Sequence, residues 1–181
     1  MQRERAELRN RSWFAVSVKA RHEKRVALSL GGKGYPVFLP TYRKRNRDRR
    51  VFDLPLFPGY VFSCLEPAAT PPVLTIPGVY SILGNSRGPE PIPDQQIEIV
   101  RTVVESRSTP VPWPYPPSGQ KVSVVDGPLQ GVQGVVVDAA DQKWFVLSVD
   151  FLQRSVAVKV EREALRLLSN HPVSIVFKGR S

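Results

Sequence analysis

Five prolines fall within eight residues at Pro110, Pro112, Pro114, Pro116 and Pro117, interleaved with Val111, Trp113 and Tyr115. Proline has no amide hydrogen to donate and fixes its own φ, so such a run cannot continue a helix or serve as a central strand. The segment 108–117 is therefore predicted to be a stiff, extended linker of polyproline type. It divides the chain into an N-terminal domain over 12–107 and a C-terminal module over 118–168. An extension at 1–11 and a tail at 169–181 flank them. Both folded parts have the size of small domains.

Charge is also one-sided, concentrated in the first third of the chain. Of the 181 residues, 26 are Lys or Arg and 16 are Asp or Glu, a formal charge of +10. Residues 1–65 carry 15 basic and 5 acidic side chains, so the remainder sums to zero. A one-sided field of this kind points to one element placed near phosphates or an acidic partner. With 41% apolar and 23% charged residues, a packed fold is expected rather than a disordered tail. The single cysteine, Cys64, excludes an internal disulfide and a multi-cysteine zinc site, so a reducing compartment suffices. No apolar run approaches the roughly 20 residues that cross a bilayer, and no apolar stretch follows the charged N-terminus to form a signal peptide. A cytoplasmic monomer that keeps clear of the membrane is expected.

In the N-terminal part, Ser12 to Lys19 reads as a strand rich in aromatic and β-branched residues. His22 to Leu30 then places Val26, Ala27 and Leu30 on one helical face, with Glu23, Lys24 and Arg25 outside and Gly31-Gly32 as the stop. Tyr35 to Pro40 resumes extended structure. Arg43 to Arg50 carries six positive charges against one negative and precedes an apolar run from Leu54 to Leu65, the pattern of a hairpin with a basic tip. Asp94 can cap a helix whose apolar face is Ile97, Val100 and Val104. This order describes an α+β domain, an antiparallel sheet with helices.

After the linker the period changes. Lys121 to Val125, Val135 to Val137, Trp144 to Val149 and Ser155 to Val160 alternate with Asp126-Gly127-Pro128, Gly131 and Gly134. Four or five short strands with glycine punctuation and no helix predict a small all-β barrel, closure being the way so small a sheet avoids open edges.

Two segments together carry a family resemblance. Pro55-Leu56-Phe57-Pro58-Gly59-Tyr60-Val61-Phe62 resembles the signature strand of the N-terminal (NGN) domain of NusG-type transcription elongation factors. Gly119-x-x-Val122-x-Val124-x-Asp126-Gly127-Pro128-x-x-Gly131-x-x-Gly134-x-Val136 resembles the KOW motif those factors carry after a linker. Trp13 in the first strand and Pro77-Gly78-Val79 fit the same pattern. The resemblance covers roughly residues 12–168. It implies a transcription elongation or antitermination factor whose NGN domain grips the clamp helices of RNA polymerase's largest subunit across the cleft. The KOW domain would recruit a protein, either a ribosomal small-subunit protein or the termination factor Rho.

The residues supply matching candidates. Tyr60 and Phe62 share a strand face, with Phe57 across the Pro58-Gly59 kink, and an exposed aromatic cluster suits a partner helix. These three are the expected polymerase-binding residues. The hairpin residues Arg43, Lys44, Arg45, Arg47, Arg49 and Arg50, extended by Lys19, Arg21 and Lys24 at the first strand–helix corner, are expected to lie near upstream or non-template DNA, making phosphate contacts that position without reading sequence. In the KOW module, Leu129, Phe151, Leu152 and Arg154 occupy positions where the family presents an apolar patch and an arginine to its partner. The glycine usual before that arginine is Gln153 here.

Catalysis is not expected. His22 and His171 lie at opposite ends of the chain, Cys64 sits in an apolar strand without a neighbouring base, and Gly31-Gly32-Lys33-Gly34 ends a helix instead of opening one. No cofactor and no metal are expected. A ribosome-associated KOW protein binding structured RNA is the rival from another class, and the absence of a basic excess in 118–168 argues against it. Within the family, the long basic tip, the prolines around the second helix and the short aromatic linker lean toward a specialised RfaH-like or LoaP-like antiterminator over a general housekeeping factor. The Val-rich strands of the KOW segment predict a permanent barrel and not a helical hairpin.

Overall fold

The computed structural model describes residues 11–66, 69–106, 109–115, 117, 119–139, 142–149, 152 and 154–168. The N-terminal extension up to residue 10, the tail from 169 and the Phe151 and Gln153 positions lie outside the described residues. Cα distances divide the chain into Met1–Thr41 with Phe57–Glu98, and Tyr42–Leu56 with Ile99–Ser181.

The first unit is built on four antiparallel strands in the order β2-β5-β1-β6. They are β1 (Ser12–Val18), β2 (Val37–Phe38), β5 (Tyr60–Leu65) and β6 (Val79–Ile82). Because side chains alternate, Phe14, Val16 and Val18 of β1 point the same way as Val61 and Leu65 of β5. They pack against Val26 and Leu30 of helix α1 (Glu23–Gly32) and against Val73 and Ile76, which lie in and just after α2 (Thr70–Leu74). The predicted helical face is the observed one, with two differences. The helix runs through Gly31 and Gly32, ending where Lys33 and Gly34 hydrogen-bond back into its last turn. Glu23, placed outside by its charge, is buried.

The opposite sheet face carries Ala15, Phe62, Tyr60 and Cys64. Register pairs Ala15 with Phe62 and Ser17 with Tyr60, while β2 sets Phe38 against Phe62. Two short strands, β7 (Gly84–Asn85) and β8 (Gly88–Pro89), pair with each other, and helix α3 (Asp94–Glu105) follows an isolated bridge between Trp13 and Ile92. Its buried residues are Ile97, Val100 and Val103, so the inward face is shifted by one residue from the expected Val104.

In the second unit, β3 (Thr41–Arg45) and β4 (Val51–Pro55) form a separate two-stranded hairpin. The C-terminal module is a six-stranded antiparallel sheet in the order β14-β10-β11-β12-β13-β9. Its strands are β9 (Val111–Trp113), β10 (Gln120–Val124), β11 (Gln133–Ala139), β12 (Gln142–Val149), β13 (Arg154–Lys159) and β14 (Leu165–Leu167). One face buries Val122, Val124, Val136, Phe145, Leu147, Val156 and Val158. Gly134 makes this packing possible, since a Cβ there would stand 2.7 Å from the Phe145 ring.

The proline-rich segment departs from the expected free linker. Val111–Trp113 adds to β13 as an edge strand, with Pro112 opposite Val156 and Trp113 opposite Ser155. An edge position tolerates a residue without an amide donor, which a central one would not. Trp113 also meets Trp144 of β12, ring centroids 5.8 Å apart, and Lys159 Nζ lies 5.4 Å from the Trp144 ring centre. These rings share the sheet face of the fully buried Val146 and Ala157. Among the described residues the sheet order is open, ending in the proline-bearing β9 and the three-residue β14. No described helix is long and apolar enough to cross a membrane.

Candidate nucleic-acid interface

The basic hairpin is closed by three bonds around one residue. Asn46 N–H donates to the Arg50 carbonyl at 3.0 Å, Arg49 N–H to the Asn46 carbonyl at 3.1 Å, and Arg50 N–H to Asn46 Oδ1 at 2.9 Å. This is a three-residue loop with its last residue in the left-handed region, where Arg49 has φ 61°. Glycine is favoured at such a position and arginine is not. The closure sets the register, facing Arg45 with Val51, Lys44 with Phe52, Arg43 with Asp53 and Tyr42 with Leu54. The 3.9 Å Arg43–Asp53 ion pair agrees with it.

Alternation then gives the hairpin two different faces. One carries Arg43, Arg45, Val51 and Asp53. The other carries Lys44 and Arg50 with two aromatic residues, Tyr42 and Phe52. All six predicted basic residues of the hairpin are exposed. Phe52 retains 47% of its surface and Val51 54%.

The corner between β1 and α1 holds the other expected cations. Lys19, Arg21 and Lys24 are all exposed. His22 N–H donates to the Lys19 carbonyl at 2.9 Å, a tight turn that puts Arg21 at φ 65°. Lys19 N–H donates to the Gly78 carbonyl at 2.8 Å, and a Cβ on Gly78, itself at φ 101°, would stand 2.7 Å from His22 Nδ1. Arg21 and Arg49 are thus the two non-glycine residues with positive φ among the described residues, and both belong to the cationic set. The hairpin and this corner belong to different compact units.

The aromatic strand is arranged differently from its expected role. Phe57 and Phe62 are buried at 1% and 2% exposure, the Phe57 ring edge-on to Phe62 at 5.7 Å and Phe38 tilted against it at 6.1 Å. Neither offers the exposed face anticipated from the sequence. A strand with neighbours on both sides and three rings interlocked makes Phe62 a core residue. Tyr60, at the start of β5, remains partly exposed. The kink before it is held by a residue whose charge had marked it as external. The buried Glu23 Oε1 accepts the Gly59 N–H at 2.9 Å, while the Gly59 carbonyl accepts Val18 N–H at 2.8 Å. Gly59 has φ 86°. In sequence, only the pairing of a first-turn glutamate with a Pro-Gly kink 36 positions on could have signalled it.

Leu129 and Leu152 are likewise buried, at 6% and 3%, not presented as an apolar patch. Leu129 lies inside the turn that returns β10 to β11, where Gln130 N–H bonds to the Gly127 carbonyl and Gly131 N–H to the Val124 carbonyl. Arg154 is exposed at the start of β13. Phe151 lies outside the described residues. Cys64 is half-buried; burial pushes its thiol up, Asp94 adds to the effect and Arg11 opposes it. A protonated thiol is a poor nucleophile. The described residues contain no cluster of three or more metal-ligating side chains.

The family model "Transcription termination factor nusG" matches residues 11–101, half of the chain, taking in β1, the corner, the hairpin and the Pro-Gly kink. The chain belongs to the NusG family. Curated NusG proteins are similar along most of their length. The transcription termination/antitermination protein NusG of Pseudomonas aeruginosa is 28% identical over 166 residues, covering 82% of this chain and 94% of its own. That of Campylobacter jejuni is 24% identical over 119 residues, covering 64% and 67%. Among solved structures, one titled "Domain interaction in Thermotoga maritima NusG" covers 87% of this chain and 97% of its own with a TM-score of 0.58, at 20% identity. That likeness supports the fold: an N-terminal domain of sheet and helices and a C-terminal all-β one.

As a NusG-family member, the chain is a transcription termination/antitermination factor. The longer alignment with the Pseudomonas aeruginosa protein reaches beyond the matched 11–101 segment into the C-terminal module.

Proposed function

We propose that this NusG-family factor binds RNA polymerase through its N-terminal sheet, at the clamp helices across the cleft, while the β3–β4 hairpin runs along upstream or non-template DNA. The observation that carries this reading is the hairpin itself, six exposed cations on a two-stranded arm whose closing residue, Arg49, keeps a charged side chain where glycine would fold more easily. Backbone strain retained at a surface position is a common mark of function. Lys19, Arg21 and Lys24 are a second exposed cationic group, in the other compact unit.

In this reading Tyr60 makes the polymerase contact, and the buried Phe57 and Phe62 pack the strand that carries it. Replacing Tyr60 by Ala weakens association with RNA polymerase in co-sedimentation while leaving the melting temperature unchanged; unchanged association removes Tyr60 from the interface. For the hairpin, the test is the salt dependence of binding to a polymerase–DNA scaffold. Each lost phosphate contact lowers the log–log salt slope by about 0.7 to 0.9. Changing Arg47, Arg49 and Arg50 together to Ser therefore flattens it by about 2, and an unaltered slope means the tip touches no phosphate.

The six-stranded sheet recruits a protein partner, a ribosomal small-subunit protein or Rho, at the start of β13, where Arg154 is exposed. Its balanced charge favours protein over RNA, against the ribosome-bound alternative. The long basic arm favours a specialised paralogue acting on particular operons. Occupancy along the genome beside RNA polymerase decides this: a few long operons for the specialised factor, uniform coverage for a general one.

A further inference from the structure

The hairpin carries more than charge. Cations alone would serve for phosphate contacts, yet one face of this arm also exposes an aromatic ring. Phe52 keeps 47% of its surface, the adjoining Val51 keeps 54%, and the residue directly across from Phe52 in the register is Lys44. Tyr42, two positions before Lys44 on the same strand, shares that face diagonally from Phe52, a separation of about 7–8 Å that large side chains span. Arg50, two positions before Phe52, stands at the same face beside the closing turn. Lys44 and Arg50 thus flank the exposed Phe52 on this face, with the half-buried Tyr42 beyond it.

An exposed phenylalanine on a two-stranded hairpin needs a reason, since it is both an aggregation liability and a lost opportunity for burial. Rings flanked by cations on a narrow strand surface suit a polyanion whose repeating units also present flat apolar faces. Unpaired nucleotides have both properties, and duplex DNA hides the second. We propose that the Tyr42–Phe52 face of the hairpin is a stacking platform for the bases of single-stranded DNA, with Lys44 and Arg50 holding the flanking phosphates. This rests on reading the hairpin as the DNA-proximal element and adds what it recognises there: an exposed single strand in preference to the double helix, and with little dependence on sequence. The opposite face, where Asp53 pairs with Arg43, holds no ring and is left to general electrostatic attraction.

The test uses the full-length protein and a 12-nucleotide DNA strand with 2-aminopurine at its centre, whose fluorescence falls when the base stacks on a ring. The wild type binds this strand more tightly than the matching duplex and quenches the probe. Phe52→Leu keeps the apolar volume and every charge but removes the stack. Loss of a base–aromatic stack weakens binding roughly 5- to 150-fold. The quench disappears, and the salt slope and melting temperature stay as in the wild type. Tyr42→Leu acts in the same direction. Lys44→Ser with Arg50→Ser does the reverse, lowering the slope while retaining the quench. Several results overturn the proposal: full quenching and unchanged affinity in Phe52→Leu, equal affinity for duplex, or preference for an RNA strand of the same sequence. If Phe52→Leu changes nothing while the arginine variants still flatten the slope, the platform fails and the DNA-proximal reading survives. If the wild type binds no strand in a salt-dependent way, both fail.

Discussion

Two consecutive segments of this chain, the β3–β4 hairpin and strand β5, have nearly the same ingredients and opposite burial. Each combines aromatic and β-branched residues in short strands around a tight turn. In β5, Phe62 is locked between Phe38 and Phe57 and loses 98% of its surface. In the hairpin, Phe52 has one strand beside it and keeps almost half. The contrast teaches that strand composition does not decide between core and contact surface. The number of neighbouring strands does, together with the charge of the residues that interleave: serine and cysteine between the apolar residues of β5, lysine and arginine in the hairpin.

The largest consequence of that contrast is a difference in stability. Phe62→Ala opens a cavity between two other rings and costs about 3–5 kcal/mol, enough to unfold a marginal domain. Phe52→Ala stays within about 0.5 kcal/mol, as a surface change should. Chemical denaturation of both variants measures the difference. Comparable losses in the two would mean that the hairpin ring is packed after all, and the distinction between the segments would collapse.

Much of this was legible in the sequence because it depends on local pattern. The strand–helix–strand order, the inward face of α1 at Val26 and Leu30 and the basic hairpin all follow from periodicity and charge, and the paired signature segments around Pro58-Gly59 and Asp126-Gly127-Pro128 resemble a family to which the chain belongs. What escaped depends on partners distant in sequence. Burial of Phe57 and Phe62 requires knowing that Phe38 reaches the same face through β2. Glu23 looks like a solvated helix residue until Gly59, 36 positions away, supplies its hydrogen bond. The proline run excludes a central strand but leaves an edge open; only the tertiary order shows that Val111–Trp113 occupies one. Leu129 and Leu152 were assigned by residue class at a loop, and class does not reveal which way a loop side chain turns.

A smaller effect sharpens the comparison at the kink where one segment gives way to the other. Glu23→Ala leaves the Gly59 N–H without its acceptor in a partly buried setting, costing about 1–3 kcal/mol. Glu23→Gln keeps an acceptor oxygen and loses the charge, which also sits favourably in the first turn of α1, so about 1 kcal/mol is expected. The ordering Ala worse than Gln worse than wild type, read from denaturation midpoints, identifies the bond as the cause. Equal losses would assign the effect to the charge alone, and the kink would then be held by its backbone pairing to Val18.

The smallest effect has the opposite sign and isolates what the hairpin is kept for. Arg49 occupies the left-handed position of the closing turn, a conformation that costs an L-residue with a Cβ about 1–2 kcal/mol. Glycine removes that cost but loosens the unfolded chain by about 0.4–1 kcal/mol, leaving a net gain of roughly 0.5 kcal/mol for Arg49→Gly. The same substitution deletes one cation, so the salt slope for nucleic-acid binding falls by about 0.7 on a single strand. Arg49→Asn separates the two contributions, because asparagine tolerates the left-handed region and carries no charge. It should lower the slope as far as glycine does. A variant more stable and less salt-responsive than the wild type means that the turn gives up folding free energy to keep a charge at the tip of the arm. If Arg49→Gly is no more stable, or binds with the wild-type slope, the arginine is held there by neither strain nor phosphate, and the hairpin loses the feature that most distinguishes it from the strand that follows.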